Sequence, residues 1–160
     1  MNKKQKSLTN KGFSLVELII VIAIMAVLVG VLAPQYIKYL DKSKISADKQ
    51  LADNLRQAIT TTMLDPEITQ PTLASSDTAI PTGSSLDAFW TEVYGIMGVS
   101  DGAALKTSLK YDTTADILYS VDTDSNVTVT VNYKATGKTT NSFKVDKAGA
   151  NPNPTSTTTP

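Results

Sequence analysis

The stretch KGFSLVELIIVIAIMAVLVGVLAP, residues 11–34, limits what this chain can fold into more than any other part of it. From Leu18 to Ala33 no residue has a polar side chain, and counting back to Phe13 gives 21 residues broken only by Ser14 and Glu17. At ~1.5 Å rise per residue this is a helix of about 31 Å, close to the ~30 Å hydrocarbon thickness of a bilayer. A carboxylate inside such a run needs explaining. Deep in lipid it costs on the order of 2.5–3.5 kcal/mol on insertion scales, and such groups usually face a partner.

The rest of the composition removes several function classes. The chain has 160 residues, enough for one compact domain and an appendage, and a formal charge of zero that is unevenly placed. Lys3, Lys4, Lys6 and Lys11 crowd the start with no acid beside them, which leaves a mildly acidic body. That body has no electrostatic footprint for nucleic acid, so DNA is not an expected partner. There is no cysteine and no histidine. Disulfides, thiol nucleophiles, Cys/His zinc sites and imidazole bases are therefore absent, no acid pair stands out, and neither an enzyme nor a cofactor is expected.

Three readings of the amino-terminal run compete. A secretory signal would need a small-residue cleavage site after the run; Val31 and Ala33 imitate one, but Pro34 would follow the cut and the carboxylate sits inside the core. A plain anchor, held with its lysines in the cytoplasm, gives a sound topology but leaves Glu17 unexplained. The third reading rests on Lys11-Gly12-Phe13-Ser14-Leu15-Val16-Glu17, which resembles the processing site of type IV prepilins.

The resemblance covers residues 11 to about 40 and implies a specific set of roles. A prepilin peptidase would cut between Gly12 and Phe13 and methylate the new amino terminus at Phe13. Glu17, at the fifth mature position, would pair with the Phe13 amine of a neighbouring subunit in a helical homo-oligomeric filament. Phe13 and Glu17 are four apart and so share a helical face. In a dry filament core their attraction would be weakly screened, setting register more than adding stability. Gly30 and Pro34 weaken the helix by up to ~1 and ~3 kcal/mol. Either a simple kink at the headgroups or, by family analogy, local melting in the filament would follow. Without cysteine, and with LAPQYIKYLDKSK after the span, the chain looks closest to pilins of Gram-positive, clostridia-like bacteria.

Beyond Pro34 the period stays helical. Ile37, Leu40, Ala47, Leu51, Leu55, Ala58, Ile59 and Met63 form one stripe, with Lys44–Asp48 and Lys49–Asp53 placed as charges on the other side. The spacing predicts one helix from Phe13 to about Leu64, ended by Asp65-Pro66. Residues 65–85 read as a loop. Leu86, Phe89, Trp90, Val93, Tyr94 and Met97 predict a short helix stopped at Gly98, its aromatics in the core. The period then drops to two: "LKY", "ILYSVDT", "NVTVTVNYKA" and "NSFKV" read as strands of an antiparallel meander, separated by turns at 124–126 and 136–138. Asp122, Asp124 and Asn126 place oxygens at alternate positions, as calcium loops do. Val127 stands where the glycine belongs and Tyr133 where the glutamate belongs, so a hairpin turn is the preferred reading and the trio stays a metal candidate.

The expected architecture is α+β: a long amino-terminal helix, transmembrane in its first half and amphipathic in its second, packed on a small antiparallel meander, pilin-like. The expected divisions are a cleaved basic leader (1–12), a transmembrane and filament-core helix (13–34), a globular head (35–147) and a disordered tail (148–160). The resemblance implies a structural subunit stored in the cytoplasmic membrane with its amino terminus inside. Inner-membrane pilus assembly machinery would then polymerise it into a surface filament for adhesion or motility. A pseudopilin of a type II secretion or DNA-uptake system, which shares the same amino terminus, is the alternative.

Overall fold

The computed structural model describes residues 12–69 and 74–152. The leader lysines and the last eight residues lie outside the described residues. A single helix, α1 (Leu15–Met63), opens the chain. It is followed by β1 (Thr78–Ala79), α2 (Ala88–Met97), α3 (Gly102–Thr107), β2 (Asp116–Val121), β3 (Val127–Asn132), a 3₁₀ turn (Thr139–Asn141), β4 (Phe143–Asp146) and β5 (Gly149–Pro152). The five strands form one antiparallel sheet in chain order. This is the α+β architecture expected from the sequence. The chain divides into two compact units, residues 1–40 and 41–160.

In the second unit, α1 presents Ala52, Leu55, Ala58, Ile59 and Thr62 to a core shared with α2 and the sheet. Leu55 and Ile59 are fully buried, as are Phe89 and Val93 of α2 and Val129, Val131, Phe143 and Val145 of the sheet. Each such side chain contributes about 1.5–3 kcal/mol. Three parts of the predicted stripe lie elsewhere. Ile37, Leu40 and Ala47 are exposed, and the buried face turns instead through Asp48 and Ala52. The helix also begins at Leu15, two residues later than its period suggested.

The charge pattern misplaced Asp48. It is not a surface partner of Lys44 but 1% exposed. Its carboxylate accepts the backbone N–H of Lys110 (2.6 Å), that of Tyr111 (3.1 Å) and the Tyr133 hydroxyl (2.8 Å). Burial, reinforced by the Asp48 carboxylate, pushes the Tyr133 phenol far above its ordinary pKa. These bonds also explain why "LKY" is no strand: the amides of Lys110 and Tyr111 point to a side chain and not to a neighbouring strand. Just before this segment the chain makes α3, begun by Asp101, whose carboxylate accepts Ala104 N–H at 2.8 Å.

Asp112 ties the same loop to the end of β3. It accepts Thr114 N–H and hydroxyl, Lys134 N–H and Ala135 N–H, all within 2.9 Å. Burial alone would raise its pKa, but these donors overcome that and hold the carboxyl well below the usual carboxylate range. Lys138 donates to the Tyr111 carbonyl and lies 4.5 Å from that ring's centre.

Helix α2 ends as predicted, with Gly98 in the left-handed region at φ 68°. Trp90 packs edge-on against Phe89 (5.6 Å) and Tyr119 (4.9 Å), which places the aromatic cluster in the core. The segment 65–85, read as loop throughout, contributes β1, which pairs Thr78 with Tyr119 and Ala79 with Leu118. On β3 the alternation holds except at Thr130, which is 1% exposed on the face expected to be wet. In register it lies between Leu118 and Lys144, and the Lys144 ammonium reaches Asp77 at 3.0 Å. Gly149–Pro152 pair with β4 inside the stretch expected to be a disordered tail. Their strand needs only backbone groups, which a low-complexity sequence supplies as well as any other.

Candidate functional site

The first unit is the helix start and the apolar run. Phe13 is 93% exposed, and every large apolar side chain from Leu15 to Leu32 is exposed as well. The run has a mean hydropathy of 3.1 and is long and apolar enough to cross a membrane. Shallow apolar grooves mark its surface, one lined by Phe13, Glu17, Leu18, Ile20 and Val21, another by Ala23, Ile24, Val27 and Leu28. A helix that is apolar all round belongs in a membrane or inside an assembly, not in water.

Glu17 has a local role that its motif position did not suggest. Its carboxylate accepts the backbone N–H of Ser14 at 2.8 Å, and the Ser14 carbonyl takes the N–H of Leu18 at 3.2 Å. Ser14-x-x-Glu17 thus forms the carboxylate half of a capping box, satisfying an amide that the helix leaves without a partner. The S-x-x-E spacing just before an apolar run was the sequence signal for it. The cap fixes the helix start at Leu15, so Gly12 and Phe13 lie in non-helical chain. One carboxylate oxygen serves the cap, and the exposed group retains lone pairs for a second donor.

Gly12 and Gly30 are not required by close packing. Nothing lies within 4 Å of a Cβ built at either position. Pro34 sits inside α1, and the helix continues through it to Met63. The first unit therefore brings Phe13 and Glu17 together at one helix start, with Gly30 and Pro34 further along the same helix.

The metal candidates belong to the second unit. Asp122 accepts the N–H groups of Asp124 (2.9 Å) and Asn126 (2.8 Å) and the Asn126 side-chain amide (2.8 Å). The Asn126 side chain and then its backbone N–H hold the Asp122 carboxyl below its ordinary pKa. The trio closes the β2–β3 hairpin around Ser125, which has φ 61°. Among the described residues no group of three or more acidic, histidine or cysteine side chains is arranged to hold a metal ion.

The site is an exposed apolar helix long enough to cross a membrane, with a capped start and a non-helical dipeptide before it. The comparisons bear on this same stretch. Residues 8–33 match the family model described as the prokaryotic N-terminal methylation motif. The chain is similar to the type IV major fimbrial protein FimA of Dichelobacter nodosus, 43% identical over 55 residues, covering 34% of this chain and 35% of the relative. It is also similar to a fimbrial protein of Moraxella nonliquefaciens, 43% identical over 51 residues, covering 32% of this chain and 33% of the relative. The chain matches these curated relatives over about a third of their length. No solved structure matches it.

Proposed function

We propose that this protein is a structural pilin of a type IV filament, stored in the membrane and polymerised after processing. The observation that carries the reading is the methylation motif placed directly on a capped, fully exposed apolar helix. Prepilin peptidase cuts between Gly12 and Phe13 and methylates Phe13. The non-helical Gly12-Phe13 dipeptide suits this, since a peptidase must reach both sides of the scissile bond. Packing leaves room for a side chain at position 12, so the requirement for glycine would lie with the peptidase.

After the cut Phe13 carries a positive amine. Glu17, with one oxygen on its own cap, offers the other to the Phe13 amine of the next subunit. Gly30 and Pro34 give the helix a place to bend or melt as subunits pack. The precursor sits in the cytoplasmic membrane with its lysine-rich start inside and residues beyond the span outside. Pilus assembly machinery in that membrane would draw it into the fibre. The role is structural, and the relatives' fimbrial names favour a filament subunit over a pseudopilin.

Intact mass and amino-terminal sequencing of protein from the cell envelope and from sheared surface material test the reading. A start at N-methylated Phe13, abundant in the sheared fraction, is expected. A start at Met1, or beyond Ala33, overturns it.

A further inference from the structure

The far end of the apolar helix carries a second marker. Of the six tyrosines in the chain, Tyr94, Tyr111, Tyr119 and Tyr133 are buried in the core. The other two, Tyr36 and Tyr39, stand within one turn of α1 and are 64% and 69% exposed. A tyrosine pair three residues apart lies on one helical face. Lys38 lies between them in sequence and on another side of the helix, and residues 35–44 hold Lys38, Lys42 and Lys44 against the single acid Asp41.

Spacing places this turn at a bilayer surface. Nineteen residues separate Glu17 from Tyr36, about 28 Å of helix, and Tyr39 is about 33 Å away. With Glu17 at one edge of a ~30 Å hydrocarbon layer, both rings fall at the opposite edge. A phenol suits that boundary, because its ring is apolar and its hydroxyl needs water or a phosphate. A lysine stem there runs along acyl chains while its ammonium meets the headgroups.

We propose that Tyr36, Lys38 and Tyr39 form an interfacial collar that binds anionic phospholipid headgroups on the outer face of the membrane. The rings set the depth of the helix, and the Lys38 charge selects anionic over zwitterionic lipid. The collar thereby fixes the depth at which Glu17 stands on the other side. This rests on the membrane-precursor reading above.

Because the chain has no cysteine, single nitroxide labels can be placed cleanly on the full-length protein, at Ala26→Cys in mid-span or at Ser43→Cys beyond the collar. The labelled chain is reconstituted into phosphatidylcholine vesicles of shorter or longer acyl chains, with or without phosphatidylglycerol. The position 43 label is expected to keep its depth relative to the headgroups as the bilayer thickens. In Y36A/Y39A it should slide by about 3 Å, two residues of helix rise. K38Q should lower the preference for spin-labelled phosphatidylglycerol over spin-labelled phosphatidylcholine about fivefold, the worth of one basic residue at an anionic surface. An unchanged depth in Y36A/Y39A, or an unchanged lipid preference in K38Q, overturns the collar. Spin–spin broadening at position 43 in dilute vesicles would also overturn it, by showing that a second copy covers this turn. A position 26 label in water would instead refute the membrane reading itself.

Discussion

The Tyr133 hydroxyl donates to the Asp48 carboxylate at 2.8 Å, across 85 residues of sequence. With the Lys110 and Tyr111 amides on the same carboxylate, one side chain of α1 joins the loop after α3 to the end of β3. Asp48→Ala leaves two backbone donors and a phenol without that acceptor and should destabilise the head by about 3 kcal/mol. Tyr133→Phe should cost about 1 kcal/mol. Urea unfolding of both single variants and the double variant measures the coupling, and strict additivity would show that the two groups do not act together.

Asp112 makes the acid limb of stability informative. Its folded pKa is depressed, so its contribution is complete above its unfolded value of ~3.9 and is lost as pH falls through the folded one. Asp112→Asn should destabilise the protein at neutral pH by about 2 kcal/mol and flatten the fall in stability below about pH 4. Thermal melts across that range would show it. An acid limb as steep as that of the unaltered chain would mean that other carboxylates govern acid unfolding.

Gly102 is where a glycine is needed for space. A Cβ there would stand 2.3 Å from the Pro81 carbonyl oxygen and 2.8 Å from the Tyr94 hydroxyl. That carbonyl already accepts Gly102 N–H (3.2 Å) and the Tyr94 hydroxyl (2.7 Å). Gly102→Ala should force the loop off α2 and lose about 1–3 kcal/mol. A melting temperature equal to that of the unaltered chain would contradict the crowding.

The two roles assigned to Glu17 can be separated. Glu17→Gln keeps an amide oxygen for Ser14 N–H but removes the charge, whereas Glu17→Ala removes both. Both variants should enter the membrane, and both should fail to join filaments, because the proposed pairing needs the charge. Only Glu17→Ala should fray the helix start, read as faster hydrogen exchange at the first turn. Normal fibre yield from Glu17→Gln would end the pairing idea.

The parts of the fold that a period announces were legible in the sequence. The apolar run and the stripe through Leu55 and Ile59 gave α1, and alternation from Val127 to Val131 gave β3. Elements that depend on partners were not. β1 is two residues long and exists by pairing with Tyr119 and Leu118, while β5 is a backbone ribbon on β4 in a tail without apolar alternation. The six residues of α3 are too few to show a period, and only the Asp101 cap marks its start. Asp48 was misread because charge spacing along a helix reveals neighbours on that helix and not the loop folded against it. Of the candidate site, the motif put Phe13 and Glu17 on one helical face, whereas the helix begins at Leu15 and leaves Phe13 in the non-helical chain before it. The capping contact to Ser14 was equally readable in its S-x-x-E spacing.

The bare half of α1 has a thermodynamic consequence. From Leu18 to Leu32 it exposes a dozen large aliphatic side chains. At about 1.5–3 kcal/mol each, leaving them in water costs on the order of 20 kcal/mol. A cost of that size leaves essentially no dissolved monomer at any concentration a cell can hold. Under the function proposed above, two phases are open to such a subunit, lipid and its own polymer. Assembly would then be partition between those phases. The pool that feeds the fibre would be counted per area of membrane and not per volume of cytosol, and a subunit leaving the fibre would return to the same pool.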